Sequence, residues 1–238
     1  MGLVSYELDD HVAVVTLNAG ENRFNPDFLH AFFDTLDAIE SDTPATTLVV
    51  RSAHEKIFSN GIDLEWLQPI IQKGDVESAK AFFYDLNRLF RRTLASPLIT
   101  VAAITGHAFA GGAIWSCAFD FRFMRSDRGF FCFPEVDLGI PFLPGMLALL
   151  KKAIPMATLE MMHHLGVRLT ADECQQAGIV RKACHIDTLF DETMAFAKET
   201  QKKRPIVAEM KQRFYKDVLH AIDVEDVPYI ESGVFHIG

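Results

Sequence analysis

Two glycine-bearing stretches and one glutamate are the residues of this sequence best suited to chemistry. The first stretch is Phe58-Ser59-Asn60-Gly61-Ile62-Asp63-Leu64, and the second is Gly106-His107-Ala108-Phe109-Ala110-Gly111-Gly112. Each follows an apolar, strand-like segment (47–50 and 98–104), and each leads toward a helix-like one. Glycine lets backbone approach a ligand closely and adopt positive φ. A turn that opens a helix also leaves N–H groups without intrahelical partners. Two such turns brought together would aim two N–H donors at one oxygen, which is how an oxyanion hole is built. The glutamate is Glu135, set between Phe130-Phe131-Cys132-Phe133-Pro134 and Leu138-Gly139-Ile140-Pro141-Phe142. Apolar surroundings disfavour a charged carboxylate and raise its pKa toward the range useful for acid/base work. Asp137, two residues on, is the lesser rival.

The elements that must position these residues alternate between strand and helix patterns. Residues 12–17 and 47–51 are apolar and β-branched, hence strands; 98–105 reads as a buried strand and 113–119 as a short helix. Asn25-Pro26 supplies an N-cap and first helical position for a helix carrying Phe28, Leu29, Phe32, Phe33, Leu36 and Ile39. Asp75 can cap a second helix with the apolar face Ala79, Phe82, Phe83, Leu86, Leu89, Phe90 and Leu94. Two further strands, 121–125 and 130–133, flank a polar turn. Thr170-Ala171-Asp172-Glu173 forms a capping box on a helix that Gly178 closes. A short strand is expected at 180–184, and the remainder is helical apart from a break at Pro205. Alternating elements imply an α/β architecture.

Taken in order, the pattern F-x-x-G-x-D-L (58–64), G-x-A-x-G-G (106–112), Asp120 and Pro134-Glu135-Val136-Asp137-Leu138-Gly139 resembles the crotonase superfamily of enoyl-CoA hydratases and isomerases. The resemblance runs from about Leu8 to about Cys184 and loosens beyond. It implies a spiral of ββα units over residues 1–185, and a C-terminal helical region, 186–238, that mediates oligomerisation as a homotrimer or dimer of trimers. It also implies an acyl-CoA thioester substrate handled through an enolate-like intermediate, with CoA arriving as part of the substrate and no separate cofactor. Matched residue by residue, the oxyanion donors are the backbone N–H groups of Ile62 and Gly111, and Glu135 is the catalytic acid/base. Ser59, Asn60, Gly61, Asp63 and Gly112 fall on the substrate-binding loops, although Asp63 can instead bond its own backbone. Lys56 falls where relatives place the CoA phosphates, with Arg51, Arg23 and Lys73 as further candidates, and Asp120 on a largely structural position.

One departure carries information. Hydratases of this superfamily hold a second glutamate three residues beyond the oxyanion-hole glycine; here that position is Ile114. Isoleucine cannot activate water, and it lines the substrate pocket with apolar surface. The resemblance therefore points to a Δ3-Δ2-enoyl-CoA isomerase, which needs one carboxylate to move a proton from C2 to C4. Hydration, hydrolysis or decarboxylation of an acyl-CoA is the alternative within the same fold. A catalytically silent acyl-CoA-binding or assembly protein is the alternative from another functional class. Trp66, Phe82, Phe83, Phe109 and Trp115 are candidates for an acyl tunnel, though aromatics at helical spacing are usually core; His107 is read as a turn residue.

Composition fits this picture. At 238 residues, 49% hydrophobic with 20 Phe, the chain can bury one sizeable core. Thirty-two acidic against 23 basic residues give a net charge of −9, which argues against nucleic-acid binding through an overall positive field. Thr93 to Phe119 lacks Asp, Glu, Lys and Arg, yet its Pro97, Gly106, Gly111 and Gly112 mark buried strand, turn and helix rather than a membrane span. Cys117, Cys132, Cys174 and Cys184 show no C-x-x-C spacing and are expected reduced and buried. No histidine spacing suggests a metal site. The N-terminus has no basic-then-apolar signal pattern, and the C-terminal Phe235-His236-Ile237-Gly238 is not a peroxisomal address, so a cytoplasmic enzyme is expected.

Overall fold

The computed structural model describes residues 2–235; the His236–Gly238 part of the C-terminal motif lies outside the described residues. Eleven strands form among them: β1 (Val4–Asp9), β2 (Val12–Leu17), β3 (Arg23–Phe24), β4 (Thr47–Ser52), β5 (Ile57–Ser59), β6 (Gly61–Ile62), β7 (Ile99–Ile104), β8 (His107–Phe109), β9 (Phe121–Arg125), β10 (Phe131–Cys132) and β11 (Lys182–Cys184). The helices are α1 (Pro26–Asp42), α2 (Leu64–Gln72), α3 (Val76–Leu94), α4 (Gly111–Ala118), α5 (Glu135–Leu138), α6 (Pro144–Ala153), α7 (Met156–Leu165), α8 (Ala171–Gln176), α9 (Ile186–Glu199), α10 (Arg204–Phe214), α11 (Lys216–His220) and α12 (Val227–Glu231).

The main sheet runs β1-β2-β4-β7-β9-β11, antiparallel only between β1 and β2. Its inner strands are continuous apolar runs because helices or other strands cover both faces, as parallel sheets require. On one face, Ala13, Val15, Leu17, Leu48, Val50, Ala102, Ile104 and Met124 join the main core. On the other, Val12, Val14, Val49, Val101, Ala103 and Phe123 meet Leu189, Met194 and Ala197 of α9. Each time the chain leaves the end of a long strand it makes a short strand of a smaller sheet and then a helix. β4 leads to β5, β7 to β8 and β9 to β10, and the short strands pair in the order β10-β8-β5. A third, two-stranded pairing joins β3 to β6. This long strand–short strand–helix cycle is the expected ββα unit in three dimensions.

Local signals act as the sequence suggests. Asn25 accepts from the Phe28 N–H (3.0 Å) with Pro26 opening α1, Asp75 accepts from Ser78, and Thr170 and Glu173 complete their capping box. Pro205 sits in the first turn of α10, so the helix break precedes it. All four cysteines are buried and free, and among the described residues no helix is long and apolar enough to cross a membrane. The C-terminal helices are tied to the core by polar contacts as well as packing. Lys211 of α10 forms a buried ion pair with Asp120 (2.6 Å) and donates to the Leu98 carbonyl (2.7 Å). Asp226, fully buried, accepts from the Gly145 N–H (2.7 Å) and from Asn87 (2.9 Å), joining the C-terminal segment to α6 and α3.

Candidate active site

The two glycine stretches meet. β6 carries Gly61 and Ile62, and its next residue, Asp63, donates its N–H to the Phe24 carbonyl of β3 (2.9 Å). Backbone alternation in a parallel pair therefore turns the Ile62 N–H away from β3. On that side lies the start of α4. A Cβ placed on Gly111 would stand 3.4 Å from the Ile62 nitrogen and 3.2 Å from the Gly61 Cα. The Gly111 N–H, in the first turn of α4, has no intrahelical acceptor. Close approach is what glycine makes possible here: at Gly112, a side chain would run into the Ser59 backbone.

The residue before Gly111 is held in an unusual shape. Ala110 has φ +49° and ψ −128°, a region a side-chain-bearing residue seldom occupies. Its N–H donates to the Cys132 carbonyl (3.0 Å), and its own carbonyl accepts from Ala113 and Ile114. Beneath α4, the fully buried Trp115 stacks on Phe58 (5.8 Å) and meets Phe24 and Phe32 edge-on; its Nε1–H donates to Thr93 (2.9 Å). One side chain thus packs α4 against β5 through Phe58, β3 through Phe24 and α1 through Phe32. At the other end of α4, Arg122 donates to the Ser116 and Phe119 carbonyls (3.2 and 2.8 Å) and Lys152 to those of Cys117 and Phe119 (2.9 and 2.8 Å). These two cationic groups, Arg122 buried and Lys152 half-buried, oppose the negative end of the helix dipole. Burial, reinforced by Arg122, pushes the Lys152 ammonium down to about 7.

Glu135 opens α5 after Pro134 and is buried, 6% exposed, rather than sitting on the surface at a strand end. Its Oε2 atom has no hydrogen-bond partner among the described residues. Burial pushes the carboxyl up to about 7, only partly offset by its own backbone N–H. A cleft of about 500 Å³ is lined by Ile62, Gly111, Glu135 and Asn60, together with His107, Phe109 and others. Two backbone donors and a carboxyl that changes charge near neutral pH on one apolar cleft suit proton transfer next to a carbonyl. Among the described residues no cluster suited to a metal ion occurs.

The other expected site residues divide into lining and support. Asn60 lines the cleft and donates to Glu21 (3.0 Å). Ser59 is buried and holds the loop, donating to the Asn22 carbonyl (2.8 Å) and accepting from the Gly61 N–H (3.1 Å). Asp63 takes the backbone role foreseen for it, capping α2 through Trp66 and accepting from Asn25 (3.0 Å). Lys56 is exposed, and Ile114 packs in the main core rather than on the cleft wall. Asp137 is exposed. The tunnel aromatics are mostly core: Phe82, Phe83 and Trp115 are buried, Trp66 packs on Phe82 (5.2 Å), and only Phe109 of the five lines the cleft.

One lining residue reads differently in the sequence, and another is among the sequence's further candidates for the CoA phosphates. His107 lies in β8, not in a turn, and shares the face of Phe109; the alternation of a short strand starting at Gly106 was the available signal. Arg23 also lines the cleft, paired with Glu21 and Glu65 (both 2.7 Å).

Comparison with known proteins places these features. The family model described as enoyl-CoA hydratase/isomerase matches residues 7–236. The chain is 28% identical over 211 residues to enoyl-CoA delta isomerase 3 of Arabidopsis thaliana, covering 86% of this chain and 88% of that protein. It is 31% identical over 198 residues to a putative enoyl-CoA hydratase of Thermus thermophilus, covering 82% and 76%. Its fold matches the crystal structure of an enoyl-CoA hydratase/isomerase family protein from Pseudomonas syringae with a TM-score of 0.87, 25% identity and 98% coverage of both chains.

Proposed function

This chain belongs to the enoyl-CoA hydratase/isomerase family, the crotonase superfamily, and on that premise we propose that it isomerises 3-enoyl-CoA to 2-enoyl-CoA in fatty-acid metabolism. The Glu135 carboxylate removes a proton from C2 of the thioester. Negative charge then gathers on the thioester oxygen, held by the N–H groups of Ile62 and Gly111; one such donor is worth roughly 3–4 kcal/mol. The resulting Glu135 carboxylic acid returns the proton at C4, so the reaction is balanced without water or a separate cofactor. A pKa near 7 lets one group serve as base and then acid.

The observation that carries this reading is the solitude of Glu135. The other carboxylate on the cleft, Glu65, is ion-paired with Arg23, and position 114 holds a core isoleucine where a second glutamate would stand. Hydration needs a group to activate water, and none is apparent beside Glu135 among the described residues. The test is a comparison on one protein preparation: appearance of the conjugated thioester from 3-enoyl-CoA against its loss from 2-enoyl-CoA. Conjugation outpacing hydration is expected; the reverse order would make the protein a hydratase.

The proposed assembly is a homotrimer or dimer of trimers built on the region 186–238, and the proposed location is the cytoplasm. Exposed Ile206, Met210 and Phe214 on α10 support an oligomeric C-terminal region, since contiguous apolar faces mark contact surfaces.

A further inference from the structure

α4 carries the Gly111 N–H in its first turn, and every residue along it is buried. At 1.5 Å per residue, its two ends lie about 12 Å apart. The negative end of its dipole therefore opposes any negative charge that gathers at Gly111, with protein rather than water between them. Two cationic side chains from separate elements converge on that end. Arg122 of β9 is buried and holds the Ser116 and Phe119 carbonyls, while its Nε–H donates to the Ile179 carbonyl (2.7 Å). Lys152, in the last turn of α6, reaches the Cys117 and Phe119 carbonyls with its ammonium 4.9 Å from the centre of the Tyr215 ring.

Their charge is not cancelled locally. Among the described residues, no carboxylate lies within 4.0 Å of either. Asp120, whose charge acts on both, is itself paired with Lys211 (2.6 Å). The other groups facing Lys152 are Cys117 and Tyr215. Burial pushes them up to about 11 and about 12, so neither is ionised at neutral pH. Arg122, Lys152 and Lys211 against Asp120 leave an excess of positive charge behind α4.

Resting on the acyl-CoA reading above, we propose that Lys152 and Arg122 are positioning residues for the oxyanion hole: they fix the carbonyl end of α4, and their charge, acting along the helix, strengthens the pull of the Gly111 N–H on the thioester oxygen. A unit charge about 12–15 Å from that oxygen, at the effective dielectric of a protein, is worth about fivefold in rate. The gain is largest in the transition state, where the oxygen carries most charge, so it belongs to kcat rather than KM.

The test reads the carbonyl itself. A saturated acyl-CoA, isotope-labelled at the thioester carbon, binds without reacting, and its infrared carbonyl stretch falls as the hole polarises it. At pH 6, where Lys152 is chiefly the ammonium, wild type lowers that frequency. Lys152→Met keeps the aliphatic length and removes the charge. It lowers the frequency distinctly less, and it cuts kcat on 3-enoyl-CoA about fivefold with little change in KM. Lys152→Arg, restoring a cation, recovers most of both. Lys151→Met removes an exposed charge from the same helix and matches wild type. Wild-type frequency and kcat in Lys152→Met, whatever its thermal stability, would overturn the inference and leave Lys152 a packing residue. An equal loss in Lys152→Arg or in Lys151→Met would overturn it too. Wild type that binds the thioester with no change in frequency would instead overturn the oxyanion hole, and the acyl-CoA chemistry with it. A lowered frequency without conversion of 3-enoyl-CoA would overturn the isomerase reading alone, since the spectra of the Lys152 series still decide this one.

Discussion

A Cβ atom added to Gly61 would stand 2.5 Å from the backbone nitrogen of Gly111, although the two residues come from different strand–helix units. The pair of N–H groups at the heart of the cleft therefore depends on two glycines touching backbone to backbone. Gly61 also has φ +74°, so a side chain there is strained as well as blocked. Gly111 has no such constraint, and a Cβ on it meets its neighbours no closer than 3.2 Å.

From that asymmetry, Gly111→Ala folds with a modest loss of stability but places a methyl group where the thioester oxygen must sit. Its kcat falls by roughly 10²-fold. Gly61→Ala loses both activity and stability, because the backbone at Gly111 cannot give way. Thermal unfolding beside steady-state kinetics separates the two; a fully active Gly111→Ala would remove Gly111 from the site.

Ala110 stores strain at the position that aims the Gly111 N–H, with φ +49° and ψ −128°. Relief of such backbone strain is worth about 1–3 kcal/mol, against about 0.5–1 kcal/mol for the added freedom of glycine in the unfolded chain. Ala110→Gly is therefore more stable than wild type by about 1 kcal/mol in denaturant unfolding. Unchanged or reduced stability would show that the surroundings accommodate alanine without cost.

Glu135 links the site to stability. Its folded-state carboxyl is raised from 4.5 to about 7, so its contribution is fully present below pH 4.5 and is lost as pH rises through 7. Glutamine removes the charge and its desolvation. Glu135→Gln should thus be more stable than wild type by about 3 kcal/mol at pH 8, a gap that shrinks as pH falls toward 4.5. Denaturant unfolding at several pH values reads this directly, and a gap independent of pH would contradict a buried, desolvated carboxylate.

The exposed α10 face gives a fourth expectation. Phe214 and Met210 are 82% and 65% exposed, too apolar a surface to leave in water without a partner. Sedimentation of the wild type should show a trimer or a dimer of trimers, and Met210→Glu/Phe214→Glu should shift it toward monomer. A wild-type monomer would refute the proposed assembly.

The long elements were legible because their signals are local: apolar runs for β2, β4 and β7, an Asn-Pro start for α1, and a capping box for α8. The short strands β3, β5, β6 and β8 were less so, since two or three residues pair only where tertiary structure brings them together. That blind spot hid His107, which reads as a turn residue until β8 is seen beside β5. Glu135 and the glycines stood out through an ordered motif, whereas Arg122 and Lys152 cap α4 across long gaps in sequence and carried no motif at all. Ile114 illustrates a finer limit: its identity is informative about the missing carboxylate, but its side chain belongs to the core, not to the cleft wall.

The most direct test of the account is the pH–rate profile of wild type and Glu135→Gln on 3-enoyl-CoA, followed by absorbance of the conjugated thioester. The account predicts rapid conjugation by wild type, with kcat/KM rising through a pKa near 7 as the Glu135 base forms, and loss of nearly all of that rate in the glutamine variant. Glutamine-variant turnover close to wild type, or a wild-type profile without that ionisation, would contradict Glu135 as the acid/base of this site.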